Sequence, residues 1–211
     1  MRWAGPWRRL PIRPQRTDVR FVATPALPVQ RETSFGVEAA MIRGPLHAAA
    51  EAHWLNADLT TTGAASPNFF GGYAEIGYFL TGETRGYRNG RFDRTSVRRP
   101  VGGDEGGFGA LQANLRYDFL DLNSSGVTGG TQKGLQASLI WIPIDHVRLL
   151  LNYGRMHYED AVIPAAGGDR DYRVDVIGAR ALAGAGTETT IVAGRTSQWS
   201  LSGAAVAGPS R

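Results

Sequence analysis

The run LQANLRYDFLD at residues 111–121 alternates apolar with polar side chains, and the run GLQASLIW at residues 134–141 repeats the alternation. Successive side chains of a β-strand point to opposite faces, so each run has one apolar and one polar face. Strands of transmembrane barrels show this pattern, with lipid on one side and a wet lumen on the other. The pattern predicts two neighbouring strands that share an outward face formed by Leu111, Leu115, Phe119, Leu135, Leu139 and Trp141.

A soluble sandwich that buries its apolar face shows similar alternation. The alternative is therefore a soluble or surface-exposed β-sheet binding protein without channel activity. The polar sides of these strands carry amides and charges, such as Gln112, Asn114 and Arg116, which favours the barrel. A transmembrane helix is excluded because the chain has no run of about 18 apolar residues, whereas a sheet crosses a membrane without such a run.

The alternation extends over the middle of the chain and predicts an all-β fold. We expect an antiparallel meander of about seven strands, forming part of a transmembrane β-barrel of the porin type. Tight connections at residues 43–45 and 143–145 join antiparallel neighbours. The strands are expected near residues 35–43, 46–58, 69–82, 107–121, 132–142, 147–158 and 171–181.

The last expected strand has an ambiguous pattern. We assign Tyr172, Val174 and Val176 to the lipid face, with Arg173 on the lumen side. Arg180 shares the phase of Val176, which would place a charge toward lipid unless the strand ends early. In the preceding strand, Arg155 shares the phase of outward Tyr153, which indicates the membrane rim or a bulge.

Three segments follow from these patterns. Residues 1–33 are basic and proline-rich, without strand or helix periodicity, and are expected to be disordered. Residues 34–182 are expected to form the partial porin barrel. Residues 183–211 form a Gly, Ala, Ser and Thr tail without a strand pattern, also expected to be disordered.

The net charge of +4 lies at the N-terminal end. Residues 1–33 hold seven arginines against two acidic residues, whereas the other 178 residues hold 16 basic and 17 acidic side chains. The charge of the patterned part therefore gives no reason to predict a nucleic-acid partner. Arg8, Arg9 and Arg13 interrupt any apolar region of the kind a signal peptide needs, so we expect no signal peptide in this chain and its export stays open.

Four motifs, in order, give the chain a specific resemblance. They are GYAEIGYFLTGE at residues 72–83, GGFGA at 106–110, RYDFLDLN at 116–123 and VRLLLNY at 147–153. Together they resemble the C-terminal half of the phosphate-selective porin O and P family, over about residues 34–182. We expect a truncated or frameshifted piece of such a porin, whose open sheet would not make a working pore alone.

The resemblance implies a fragment of an anion-selective outer-membrane porin, a passive diffusion channel for phosphate or polyphosphate. The expected partners are outer-membrane lipid and inorganic phosphate or other small anions. A homotrimer is implied if the barrel is complete. The resemblance implies the cell outer membrane as the location.

Two groups of arginines are candidates for contact with anions. The segment from Thr84 to Arg99 carries six arginines against Asp93 alone, and it is either an anion-attracting mouth or a solvated connector: Arg85, Arg88, Arg91, Arg94, Arg98 and Arg99. Three further arginines are predicted to line the lumen or to stabilise its wall as cross-strand ion pairs: Arg116, Arg148 and Arg173. If the tight turns are periplasmic, the parity of the strands places the connector on that side too.

We predict no enzyme activity, metal site or cofactor. The chain has no cysteine, which excludes disulfides and thiolate chemistry. The four histidines have no neighbouring residues that would complete a metal or catalytic site on one face, and no nucleotide-binding glycine motif occurs.

Overall fold

The structure is a computed structural model that describes residues 20–60, 65–104, 106–124, 126–183, 187–196 and 201–202. Nine of its strands form one antiparallel sheet in the order β1-β2-β3-β6-β7-β8-β9-β10-β11, and β4 pairs with β5 as a separate hairpin. The strands are β1 (Val29–Arg43), β2 (Leu46–Leu59), β3 (Asn68–Phe79), β4 (Gly86–Arg88), β5 (Arg91–Asp93), β6 (Ala110–Asp121), β7 (Thr131–Ile144), β8 (Val147–Glu159), β9 (Tyr172–Ala183), β10 (Thr187–Thr196) and β11 (Leu201–Ser202).

The described residues include no helix that is long and apolar enough to cross a membrane.

The seven expected strands all form, as β1 to β3 and β6 to β9, and they pair in sequence order. The predicted faces of the central pair are confirmed. Leu115 and Leu135 are 47% and 49% exposed on the outer face, whereas Gln112 is 2% exposed on the inner face. The sheet is not closed, since no pairing joins β1 to β11 in the described part.

The two ends of the sheet differ. At one end, the turn end, short turns join β1 to β2 and β7 to β8, and Gly44 takes a positive φ of 58° that glycine adopts without strain. At the opposite end, the loop end, longer connections follow β2, β6 and β8. In barrels of outer membranes the short turns lie on the periplasmic side and the longer loops lie outside. That the turn end is periplasmic stays a prediction.

Aromatic rings border the exposed apolar band of the outer face at both ends. Toward the loop end, the ring of Trp54 lies 5.8 Å from that of Phe35 and 5.1 Å from that of Phe70. At the turn end, Trp141 stacks on Phe108 at 5.4 Å and donates its indole hydrogen bond to the Phe108 carbonyl at 2.7 Å. Two aromatic girdles around an apolar band are typical of a membrane barrel.

The expected boundary after residue 33 is wrong, because β1 begins at Val29. Phe21 also packs inside the sheet, with its ring stacked 4.9 Å from that of Tyr158. Two backbone hydrogen bonds fix the segment to the loop end, from Ala23 N to the Gly129 carbonyl at 2.8 Å and from Val162 N to the Phe21 carbonyl at 2.7 Å. The proline content of this segment indicated disorder, but apolar burial and backbone hydrogen bonds hold its described residues in place.

The expected tail from residue 183 is also wrong in part, because Thr187–Thr196 pairs antiparallel with β9. A backbone ladder forms here although the side-chain pattern is weak. The other residues of the two segments expected to be disordered, 1–19, 184–186, 197–200 and 203–211, lie outside the described residues.

The predicted faces of β9 are wrong. Tyr172 pairs with Tyr158 and Val174 pairs with Met156, and all four side chains pack in one inner cluster with Phe21. The outer face of β9 is continued by Ile177, which is 55% exposed. Both phases of this strand are partly apolar, so periodicity could not choose between them.

The pairing of β8 with β9 also shows which face carries Arg180 and Arg155, the two charges that interrupted the predicted alternation. Arg180 lies opposite Leu150 on the inner face, so β9 continues to Ala183 without placing it toward lipid. Arg155 does face outward, near the loop end, and forms an ion pair of 2.8 Å with Asp175. The rim position predicted for Arg155 is thus accompanied by a neutralising partner, without a bulge between β8 and β9.

Candidate functional site

The connector, defined as residues 80–109 between β3 and β6, lies at the turn end and is tied to the β7–β8 turn. Val97 N donates a hydrogen bond of 3.0 Å to Asp145 Oδ1, and Val101 N donates one of 2.9 Å to the Pro143 carbonyl. Val97 itself packs in a buried cluster with Phe79 and Ile142. The base of the connector is therefore part of the fold, and it lies on the side that strand parity predicted.

The β4–β5 hairpin of the connector folds over the inner face of the sheet. Asn89 and Gly90 have φ values of 50° and 77°, as a tight two-residue hairpin turn requires. The Phe92 ring meets the His47 ring edge-on at 5.7 Å, and His47 is 4% exposed. An aromatic contact thus joins the hairpin to the inner face of the sheet, which we call the wall.

A cavity of ≈ 200 Å³ lies between this hairpin and the wall. Gly77 shapes it, because a Cβ there would collide with the side chains of His47 and Asn114. The polar side chains that line it include Glu75, Arg85, Gln112, Asn114, Arg116, Gln136, Ser138 and Asn152. Amides, hydroxyls and guanidiniums supply the donors that a small anion needs.

Arg85 brings a positive charge from the connector into this cavity. Its guanidinium lies 5.6 Å from the centre of the Phe92 ring, and its Nε is buried without a hydrogen-bond partner among the described residues. Burial lowers the pKa of Arg85, and the positive charge of Arg148 lowers it further, against opposite effects of Glu75 and Asp93. A buried guanidinium donor without a partner is costly, so an acceptor oxygen placed there would bind favourably.

Arg116 lines the same cavity, but two carboxylates already neutralise it. Its Nη1 lies 3.0 Å from Glu75 Oε2 and its Nη2 lies 2.8 Å from Asp118 Oδ1. The guanidinium carbon also lies 3.6 Å from the centre of the Tyr73 ring. Gln136 donates a further hydrogen bond to Asp118. These contacts favour a structural role for Arg116, which was one of the two roles predicted.

The three arginines predicted to line the lumen do not share a face. Arg148 alternates in phase with Asn152 on the inner face of β8, and Arg116 lies on the inner face of β6. The prediction that Arg173 lines the lumen is wrong, because this residue lies opposite His157 on the outer face of β9. The reversed phase of β9 causes this error.

The connector arginines also differ from one another in exposure and contacts. Arg88, Arg94 and Arg99 are exposed, and Arg98 Nη1 donates to the Gly82 carbonyl at 3.1 Å. The side chain of Arg91 lies outside the described part. Of the connector arginines with described side chains, only Arg85 lines the cavity of ≈ 200 Å³. Whether the exposed arginines attract anions stays a prediction.

Sequence reasoning missed the wall residue His47 and the hairpin residue Phe92. His47 was visible as an inner-phase position of β2, but nothing local indicated that a distant hairpin covers it. In the described part no group of three histidine or acidic side chains is placed to hold a metal ion.

Comparison with known proteins gives two matches. A family model described as phosphate-selective porin O and P matches residues 12–182, which extends the resemblance beyond residue 34 toward the N-terminus. An uncharacterized protein of Caulobacter vibrioides is 56% identical over 164 residues, which cover 78% of this chain and 32% of that protein. This chain thus spans 32% of the length of that relative. No solved structure matches the chain.

Proposed function

Because the chain belongs to the phosphate-selective porin O and P family, we propose that its sheet forms part of the wall of an outer-membrane channel through which small anions diffuse passively. Phosphate or polyphosphate is the proposed class of anion. Family membership favours a channel over an enzyme. The complete channel, assembled as a homotrimer in outer-membrane lipid, is the proposed working form.

The two faces of the sheet support a wall between lipid and water. Leu115, Leu139 and Leu151 are 47%, 42% and 55% exposed on the outer face, where lipid would cover them. The opposite face carries a hydrogen-bonded polar network, in which Asn114 Nδ2 donates to Ser138 Oγ at 3.0 Å. A soluble sheet would need a second layer over the outer face, and a binding protein of that kind remains the alternative function.

The observation that carries the anion proposal is the placement of Arg85. The connector projects this residue onto the polar face, and its buried Nε has no partner in the described structure. In a lumen, such a group attracts anions more strongly than an exposed arginine, because less water screens its charge. The exposed connector arginines would add a weaker, salt-dependent field at the mouth.

Reconstitution in planar bilayers tests the proposal. Residues 12–182 would replace the matching third of the Caulobacter relative, and the reversal potential would be measured across a potassium chloride gradient. We expect a preference for chloride over potassium, which falls when Arg85 becomes Gln. The matched control is Arg94→Gln, which removes one exposed connector charge and is expected to lower the preference less, and only at low salt.

A chimera that conducts without anion preference, or that prefers cations, would contradict the anion proposal. The 211-residue chain by itself is expected to give no stable unitary conductance, because its described sheet is open and aqueous channels need closed barrels of about 16–18 strands. Folding of the chain without detergent or lipid would favour the soluble binding protein instead.

A further inference from the structure

A wider cavity of ≈ 680 Å³, which we call the rim groove, lies at the turn end of the sheet. Its apolar lining belongs to the outer face. Leu80 is 57% exposed and continues the outward phase of Ile76 and Tyr78 on β3. Phe108 is 59% exposed and stacks on Trp141 of the aromatic girdle. The rim groove therefore opens beside the apolar band, where the proposed function places lipid.

Two arginines form the charged side of the rim groove. Arg98 and Arg99 both line it, and both side chains are exposed. Among the described lining residues, Glu83 is the acidic one, but it is 2% exposed and accepts a hydrogen bond from the Thr81 hydroxyl. Asp104 is exposed in the neighbouring loop and does not line the groove. The exposed charge of the described lining is therefore positive.

Backbone contacts hold the sides of the rim groove in place. Gly109 N donates a hydrogen bond of 2.8 Å to the Arg99 carbonyl, and Leu80 N donates one of 2.7 Å to the Leu111 carbonyl. Gly107 permits a close approach of the two chain segments, because a Cβ there would collide with the Arg99 carbonyl. The backbone that carries the arginines is thus fixed beside the apolar lining, as in a pre-formed ligand site.

We propose that the rim groove binds an anionic phospholipid, with the lipid phosphate at Arg98 and Arg99 and the acyl chains on Leu80 and Phe108. This proposal rests on the proposed function in one respect, because it needs lipid at the outer face. The planar guanidinium group binds two phosphate oxygens at once. The groove volume of ≈ 680 Å³ lies in the range of about 300–1,000 Å³ that is typical of small-molecule sites.

The combination of charged and apolar groups favours a lipid over a soluble anion. A soluble phosphate would contact the arginines and leave Leu80 and Phe108 exposed to water, whereas a phospholipid covers the apolar groups as well. Trp141, which stacks on Phe108, belongs to an aromatic girdle, and such girdles lie at the level of the lipid headgroups. The two arginines are therefore placed near that level, where a headgroup phosphate would lie.

Native mass spectrometry of the 211-residue chain in detergent tests the lipid site. Phosphatidylglycerol and phosphatidylcholine with the same acyl chains would be compared, because the first headgroup is anionic and the second has no net charge. We expect one phosphatidylglycerol per chain to bind more tightly than phosphatidylcholine does. The double variant Arg98→Gln with Arg99→Gln should weaken this binding about 30-fold, from about fivefold for each arginine near a membrane surface. Equal binding of the two lipids by the unmodified chain overturns the proposal.

Three controls make the test specific. The matched double variant Arg88→Gln with Arg94→Gln removes two exposed connector charges outside the rim groove and should keep the preference for phosphatidylglycerol. An equal loss in that variant overturns the site, because net charge alone would then set the affinity. Glycerol phosphate carries the phosphate without acyl chains, and its displacement of the lipid at equal concentration overturns the lipid as ligand. If the Arg98 and Arg99 double variant does not fold, Arg99→Gln alone carries the test, with a loss of about fivefold expected and an unchanged affinity contradicting the site.

The two proposals fail separately. Anion preference in the chimera together with equal binding of both lipids would overturn the lipid site and leave the channel. A preference for phosphatidylglycerol that depends on Arg98 and Arg99, together with a chimera that shows no anion preference, would overturn the anion channel and leave the lipid site.

Discussion

Replacement of Arg116 by Gln should destabilise the sheet more than any exposed arginine replacement. The guanidinium binds Glu75 at 3.0 Å and Asp118 at 2.8 Å, and the Asp118 side chain is 2% exposed. Gln136 would remain as a hydrogen-bond donor to Asp118. The variant would thus leave a buried carboxylate with a neutral partner in place of a cation.

The magnitude follows from burial. Removal of one partner from a buried ion pair costs about 3–5 kcal/mol. The side chains of Arg116 and Glu75 are 34% and 31% exposed, so water screens part of this pair, and we expect a loss of about 2–3 kcal/mol in the free energy of unfolding. The further replacement Asp118→Asn removes the unpaired charge and should restore part of the loss.

Urea unfolding of the chain in detergent, followed by tryptophan fluorescence, measures this loss. The matched control is Arg155→Gln, since that ion pair with Asp175 is on the outer face and the Arg155 side chain is 58% exposed. A small effect is expected there, because water and salt screen exposed pairs. An Arg116→Gln loss no larger than that of Arg155→Gln, or a double variant less stable than the single one, would refute the reasoning.

Two further predictions concern the outer face and the loop end. In lipid vesicles, Leu115→Arg should lower the free energy of unfolding by about 2–4 kcal/mol, whereas Asn114→Arg on the polar face should change it much less. Urea titrations measure both changes, and equal losses would contradict the assignment of faces. Phe21→Ala removes the ring stacked on Tyr158 and should speed hydrogen exchange of residues 160–171, and unchanged exchange there would mean that this contact does not hold the loop end.

Much of the sheet was predictable because its information is local. In the runs at residues 111–121 and 134–141, each side chain alternates with its neighbour, and the observed faces agree. In β9 both phases carry apolar side chains, so the face depended on packing against Phe21, which lies about 150 residues away in sequence. The alternation of apolar and polar residues along a strand gives no information about such a distant contact.

The candidate site was predictable only as a set of charges. The density of arginines indicated that the connector is a candidate site, but the position and partners of each arginine depend on tertiary contacts. Arg85 enters the cavity, whereas Arg98 binds the Gly82 carbonyl at the surface. Arg116 was expected either to line the lumen or to pair across strands. Its ion pairs with Glu75, which lies directly opposite on β3, and with Asp118 on its own strand favour the structural role.

The central claim is that one face of this sheet contacts lipid and the other contacts water. The chain has no cysteine, so single cysteines at residues 112–117 can carry spin labels one at a time. In lipid vesicles, collision with oxygen reports contact with lipid and collision with a nickel chelate reports contact with water. We predict that labels at residues 113, 115 and 117 collide with oxygen and that labels at residues 112, 114 and 116 collide with the chelate. Shielding of residues 113, 115 and 117 from both reagents, as in a soluble core, or a loss of the alternation would contradict the claim.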